Sequence, residues 1–203
     1  MKILTMPEQN TPEWHSFRQN YIGASDAITI MEVSPWTKPE ELLLEKLGTS
    51  PPKQENSHMR RGKALETPAL RKFEQVVDVD IGYMMSPKVV LHPTINYMMA
   101  SMDGIDIDGK ACVEIKCPGP RDHYIALQGD IPGKYYPQLQ HQIEVLGVDM
   151  VYYFSYRIDK KDPFTKETII SWANIPVYRN QMYIDEMLEK ERMFWDLVCE
   201  MKG

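Results

Sequence analysis

The sequence predicts an α/β fold of the α+β kind, helices packed against a β-sheet, and three observations carry the prediction. Val113 to Lys116, within the strand predicted over Ala111 to Lys116, alternates apolar and polar side chains in the two-residue period of a strand. Met59 to Phe73 repeats its apolar residues in the 3.6-residue period of a helix. Segments of both kinds follow one another as helix, strands, helices, strands, helix. With 203 residues, 43% of them hydrophobic, the chain can bury a sizeable core, and residues 1–203 are expected to form a single domain.

Taken in order, Thr11-Pro12-Glu13 is a helix start, with a capping hydroxyl and a proline in the first turn, leading into Trp14 to Arg18. Ala24 to Met31 and Lys38 to Leu47 are the next predicted helices, the latter closed by Gly48. Thr49 to Ser57 is polar and proline-rich, hence a loop. In the helix over 59–73 one stripe reads Gly62, Glu66, Ala69, Leu70, Phe73, Val77, with Pro68 expected to kink or break it. Val76 to Tyr83, Lys88 to Leu91, Tyr97 to Ser101 and Ala111 to Lys116 are predicted strands. Arg121 to Gln128 and Tyr135 to Leu146 are predicted helices, with Leu139, Ile143 and Leu146 facing the sheet and Gln138, His141 and Gln142 on the opposite stripe. Met150 to Arg157 and Thr168 to Val177 are aromatic and β-branched enough for strands, and Asn180 to Met201 closes the chain as an amphipathic helix.

The chemistry concentrates in Ser101-Met-Asp-Gly104 and Val113-Glu-Ile-Lys-Cys-Pro118. Asp103, Glu114 and Lys116 stand in a D-x10-E-x-K spacing. Alternation puts Val113, Ile115 and Cys117 on one face of the strand, and Cys112, Glu114 and Lys116 on the other. Phosphodiester cleavage needs an activated water and neutralisation of phosphate charge, and oxygen ligands holding Mg²⁺ provide both. Asp103, Glu114 and the carbonyl of Ile115 are the candidate ligands, with Lys116 beside the attacking water or a phosphate oxygen. The same residues also suit a surface hairpin with an Asp-Gly turn and a solvated ion pair. Glu66 bears on that choice. A carboxylate aimed into an apolar stripe requires a cation or lysine partner.

Six ordered motifs, Trp14-His-Ser-Phe-Arg18, Ile22-Gly-Ala-Ser25, Arg61-Gly-Lys-Ala-Leu-Glu66, Ser101-Met-Asp-Gly104, Glu114-Ile-Lys-Cys-Pro118 and Tyr136-Pro-Gln-Leu-Gln140, make the chain resemble the lambda exonuclease-like, YqaJ-like viral recombinase family of the PD-(D/E)xK nucleases. The resemblance implies a restriction-endonuclease-like core, a central mixed β-sheet flanked by helices. It implies Mg²⁺-dependent degradation of linear double-stranded DNA from the 5′ end, with one or two ions and Mn²⁺ as a substitute. By the same resemblance Asp103 and Glu114 match metal ligands, Lys116 the catalytic lysine, Glu66 an acidic helix residue beside the metal, and Gln138 a glutamine lining it. Arg18, Ser25 and Ser101 match residues that gather a 5′-terminal phosphate. A guanidinium suits that role because it grips phosphate through two parallel hydrogen bonds.

The family further implies a ring-shaped homotrimer around DNA and a single-strand annealing protein as partner. Some relatives carry an acidic residue about ten positions before the Ser-x-Asp-Gly turn, where this chain has Leu91-His92-Pro93-Thr94, which bears on the second metal. A junction resolvase or other endonuclease of this fold, and an inactive DNA-end-binding scaffold, are the alternative functions.

A net charge of −6 argues against indiscriminate duplex binding unless basic residues cluster. Arg60, Arg61, Lys63, Arg71 and Lys72 form one candidate cluster, and Lys116, Arg121 and Lys134 another; Arg60 and Arg61 are read as DNA-binding. No apolar run approaches the ~20 residues of a membrane helix, and the amino terminus lacks a signal-peptide pattern. The three cysteines, Cys112, Cys117 and Cys199, form no metal-ligand spacing, so a reducing cytoplasm is the expected location.

Overall fold

Thr11 caps the first helix as its hydroxyl predicts, its Oγ1 accepting from the Trp14 amide at 3.2 Å. In the computed structural model, which describes residues 2–4, 11–50, 56–77, 88–105, 112–161 and 168–203, the order is β1 (Lys2–Leu4), α1 (Pro12–Arg18), β2 (Ile22–Gly23), α2 (Ala24–Ile30), α3 (Pro39–Lys46), α4 (Ser57–Val76), β3 (Lys88–Leu91), β4 (Met98–Met102), β5 (Gly104–Ile105), β6 (Cys112–Lys116), α5 (Pro120–Leu127), a 3-10 turn (Gly133–Tyr135), α6 (Tyr136–Leu146), β7 (Met150–Lys161), β8 (Thr168–Tyr178) and α7 (Gln181–Lys202). Gly48, just past α3, takes φ +73°, the left-handed turn that ends the helix where the sequence places its stop.

Two expectations need correcting. Pro68 lies inside α4 without ending it. It and Ala64, whose carbonyl loses its intrahelical donor, both lie on the exposed side, where water can replace the lost bond. Val76 belongs to α4 and not to a strand; the rest of the strand expected over 76–83, from residue 78 on, falls outside the described residues.

Among the described residues the strands form two four-stranded mixed sheets, ordered β1-β3-β4-β2 and β5-β6-β7-β8. In the first, β4 runs antiparallel to β3 and parallel to β2. In the second, β6 runs antiparallel to β5 and parallel to β7. Asp103 is the residue between β4 and β5, where the chain leaves one sheet for the other. The Asp-Gly pair is therefore a crossing point between sheets rather than the tip of a hairpin.

Strand β6 is buried on both faces. Val113 and Ile115 pack with Ala69 and Phe73 of α4 and with Phe154 and Tyr156 of β7. Cys112 joins the larger core with Leu139, Ile143, Tyr153, Ile184 and Met187. The alternation expected of the strand is thus realised, with α4 on one face and the α6 side on the other.

Helix α6 departs from its expected polar stripe, because Gln138, His141 and Gln142 are as buried as Leu139 and Ile143. His141 is enclosed, its Nδ1 2.7 Å from Glu191 Oε1 and its Nε2 3.0 Å from the Met99 carbonyl. Both partners are acceptors, so both ring nitrogens donate and the ring is an imidazolium. Burial opposes that charge, but Glu191 and the Met99 carbonyl outweigh it and raise the pKa above 6.5. The pair's stabilisation is therefore complete below the unfolded value of 6.5 and lost as pH climbs through the raised folded value. Glu191→Gln should lower the unfolding free energy by about 3 kcal/mol at acidic pH and flatten the pH dependence of Tm above neutrality. A Tm that matches wild type at every pH would contradict the pairing.

Candidate active site

The centre of the site is the carboxylate of Glu114, only 3% exposed. Its Oε1 accepts from Lys116 Nζ at 2.5 Å and Gln138 Nε2 at 2.6 Å, and its Oε2 from Gln142 Nε2 at 2.5 Å. Lys116 lies two residues along β6, on the same face; the two glutamines are one turn apart on α6. A carboxylate has about four acceptor positions, so three donors orient Glu114 and leave room for one further ligand. Burial opposes the charge on Lys116, but Glu114 and Asp103 outweigh it and lift the ammonium to about 12, so it stays protonated at any physiological pH. Its Nζ also lies 5.3 Å from the centre of the Tyr135 ring, a cation–π contact that helps fix its direction.

Asp103 approaches from the crossing between the sheets. Its Oδ2 accepts from the Ile115 amide at 2.7 Å, which locks it against the strand that carries Glu114. Burial and the neighbouring Glu114 charge push its pKa well above the usual carboxylate range, with Lys116 pulling the other way. Glu66, half-buried on α4, joins the same field: burial and Glu114 raise its pKa, while Lys116 and Lys63 lower it. Glu66 is not among the residues that line the cavity shared by Asp103 and Glu114.

Arg18, Ser25, Ser101, Asp103, Glu114 and Gln138 line one cavity of about 150 Å³, together with Gly23, Ala24 and Met99. Four separate parts of the sequence thus converge on one space. Arg18 Nη2 donates to Ser25 Oγ at 2.9 Å and to Asp26 Oδ1 at 3.1 Å, with its guanidinium carbon 4.9 Å from the centre of the Trp14 ring. A Cβ on Gly23 would meet Arg18 Nη2 at 3.0 Å, so a glycine there lets the guanidinium lie against the backbone. A larger open depression of about 570 Å³ runs along residues 175–181 and contains none of these side chains.

Two residues beneath this cavity escaped the sequence reading. Asp26 and Lys46 are both buried, with Lys46 Nζ 2.6 Å from Asp26 Oδ2. Asp26 Oδ2 also accepts from the Gly23 amide at 2.9 Å. Burial works against charge on Asp26, yet Lys46 and Arg18 outweigh it and hold the carboxyl well below its usual range. The only sequence signal was the pairing of an acid in the first turn of α2 with a lysine at the end of α3, and such residues are ordinarily solvent-facing.

Arg60 and Arg61 separate. Arg60 is exposed, whereas Arg61 is half-buried with Nη2 3.4 Å from the Pro118 carbonyl, just past β6. His92 is a turn residue: its Nδ1 accepts from the amides of Thr94 and Ile95 at 3.2 and 2.9 Å. His141 serves the core as described above.

Among the described residues no group of three or more His, Cys, Asp and Glu side chains gathers to hold a metal. The carboxylates that line the cavity are those of Asp103 and Glu114, hard oxygen ligands of the kind Mg²⁺ or Mn²⁺ takes when waters or substrate complete its shell. Two observations fit a cation there. The carboxyls of Asp103, Glu114 and Glu66 repel one another, and the buried Gln142 Oε1, on the residue that orients Glu114, has no hydrogen-bond partner.

A family model of the YqaJ-like viral recombinase domain matches residues 13–149. The uncharacterised protein YqaJ of Bacillus subtilis (strain 168) is 28% identical over 193 residues, covering 93% of this chain and 56% of that protein. The uncharacterised protein R354 of Acanthamoeba polyphaga mimivirus is 27% identical over 176 residues, covering 80% of this chain and 31% of its own length. The chain thus spans about half or less of these relatives. Among solved structures, the alkaline exonuclease LHK-Exo from Laribacter hongkongensis superposes with a TM-score of 0.70 at 23% identity, covering 95% of this chain and 94% of that one. Its complex with dAMP also gives 0.70, at 24% identity and the same coverage. A phage related exonuclease from Haemophilus somnus 129PT gives 0.58 at 13% identity, covering 92% and 99%. At such identities these structures show a shared fold.

Proposed function

This chain belongs to the YqaJ-like viral recombinase family, and from that premise we propose that it is a metal-dependent deoxyribonuclease: a 5′-to-3′ exonuclease that degrades one strand of linear double-stranded DNA from a phosphorylated end. The observation that carries the reading is the single cavity shared by Asp103 and Glu114 with Arg18, Ser25 and Ser101. An endonuclease needs the first pair alone. A pocket for a terminal phosphate, built beside the carboxylates, belongs with cutting from an end. The dAMP complex of the alkaline exonuclease is in keeping with a mononucleotide-sized site.

In this reading Asp103, Glu114 and the carbonyl of Ile115 hold one or two Mg²⁺ ions, with Mn²⁺ as a substitute. When bound, the metal supplies charge that acidifies water and neutralises the phosphate. The residues of the chain do the rest. Gln138 and Gln142 fix the carboxylate of Glu114, and the Ile115 amide fixes that of Asp103. Lys116 sets a permanent positive charge where the attacking water or a phosphate oxygen lies. Glu66 borders the metal from α4. Arg18, Ser25 and Ser101 receive the 5′-phosphate, which places the scissile bond at a fixed distance from the chain end. Arg60, exposed, and Arg61, near Pro118, supply cationic contacts to the duplex backbone.

The same reading includes one nuclease domain, a ring-shaped homotrimer around the DNA, a single-strand annealing protein that takes over the 3′ overhang, and action in the cytoplasm. No helix among the described residues is long and apolar enough to cross a membrane.

A time course on end-labelled linear duplex, with and without 5′-phosphate, in Mg²⁺ or in chelator, tests polarity, metal and end recognition together. Mononucleotides should appear from phosphorylated 5′ ends in Mg²⁺ and vanish in chelator. Covalently closed circles should survive the same incubation; nicking or linearisation of them would favour the endonuclease. DNA-end binding with no nucleotide release in either metal would favour the scaffold.

A further inference from the structure

Lys46 is a charged residue with almost no contact with water, 2% exposed, and its position is explained by what its ammonium touches. A lysine ammonium has three N–H donors, and here all three find acceptors: the Arg18 carbonyl at 3.1 Å, the Tyr21 carbonyl at 2.6 Å and Asp26 Oδ2 at 2.6 Å. Two of these bonds fasten the turn between Arg18 and β2. The third neutralises Asp26, whose other oxygen holds the Arg18 guanidinium at 3.1 Å. One buried anion is thus shared by two cations, and the cluster keeps a net charge of one positive unit. Without the lysine, Arg18 and Asp26 would form a neutral pair, and the guanidinium that lines the cavity would have its charge cancelled by its own neighbour. An apolar side chain would fill the space beneath α2 without the large desolvation cost of an ammonium, so packing alone does not account for a lysine here.

We propose that Lys46 sets the preference for a phosphorylated 5′ end, by neutralising Asp26 so that Arg18 presents uncompensated positive charge to the phosphate. Lys46 is a positioning and charge-balancing residue that touches no substrate atom. The inference rests on the phosphate-pocket reading of Arg18, Ser25 and Ser101. Its effect is strong because charges interact further through a buried, low-dielectric region than through water.

The test is the ratio of initial rates on linear duplex with a 5′-phosphate and with a 5′-hydroxyl, in Mg²⁺, for wild type, Arg18→Ala, Lys46→Gln and Lys46→Arg. Glutamine keeps two N–H donors and loses the charge; arginine keeps the charge. Lys46→Gln should lower the ratio about tenfold or more, while Lys46→Arg stays within about threefold of wild type. A purely structural role in fastening the Arg18 turn would lower the ratio equally in Lys46→Gln and Lys46→Arg. A wild-type ratio in Lys46→Gln, or equal losses in the two Lys46 variants, overturns the proposal. If Arg18→Ala itself keeps the wild-type ratio, the phosphate-pocket reading falls and the proposal falls with it. If Arg18→Ala loses the ratio and Lys46→Gln does not, only the proposal is lost. Should the single Lys46 variants fail to fold, the double variant Asp26→Ala with Lys46→Met removes the buried anion and its lysine together, leaving the Arg18 charge uncompensated, so the ratio is kept. A tenfold fall in that variant overturns the proposal.

Discussion

Glu114→Gln is expected to yield a folded protein that digests linear duplex in Mg²⁺ at least about a thousandfold more slowly than wild type. The size of the effect follows from how much converges on this one carboxylate. It is a proposed metal ligand and the acceptor for Lys116, Gln138 and Gln142. An amide replaces one acceptor oxygen with a donor, so it faces donors with a donor and gives the cation a neutral ligand in place of a charged one. Folding is expected to survive, because the substitution is nearly isosteric and the apolar packing of β6 comes from Val113 and Ile115, not from residue 114. Nucleotide release measures the first half of the expectation, and thermal melting the second. A folded variant with Mg²⁺-dependent activity within tenfold of wild type would remove Glu114 from the chemistry.

Arg18→Ala is expected to slow digestion of 5′-phosphorylated ends by about ten- to a hundredfold, the range for losing charge-assisted hydrogen bonds to an anion. Ends bearing a 5′-hydroxyl should change by no more than about threefold, since the contact removed has no partner there. Asp26 does not become an unpaired buried charge in this variant, because Lys46 still neutralises it. The loss therefore reads phosphate recognition more than collapse of the pocket. Equal slowing of both kinds of end would take Arg18 out of phosphate binding.

Much of this site could be read from the sequence because its signals are local. The positions of Glu114 and Lys116 on one face of a strand need only the two-residue period. The placing of Ala69 and Phe73 on the buried face of α4 needs only the helical period. What was illegible depends on contacts between distant segments. Lys46 and Asp26 are twenty residues apart, and nothing in their own neighbourhoods marks either as buried. Gln142 and His141 looked like the wet side of α6, because their hydrophilic character carries no sign of the partners, Glu114 and Glu191, that make their burial tolerable. Pro68 erred in the other direction. A proline inside a helix is costly when the carbonyl it strands is enclosed, whereas Pro68 and Ala64 lie opposite the apolar stripe, on the exposed side.

The position of Asp103 between the two sheets has a consequence for when the chain becomes competent. Arg18, Ser25 and Ser101 belong to the first sheet or its flanking helices, Glu114 and Lys116 to the second, and the glutamines to α6 later in the chain. Neither half holds a complete set of cutting groups. On the proposed reading, cleavage requires both sheets and α6 to be docked together, and nucleotide release would report that the fold is complete.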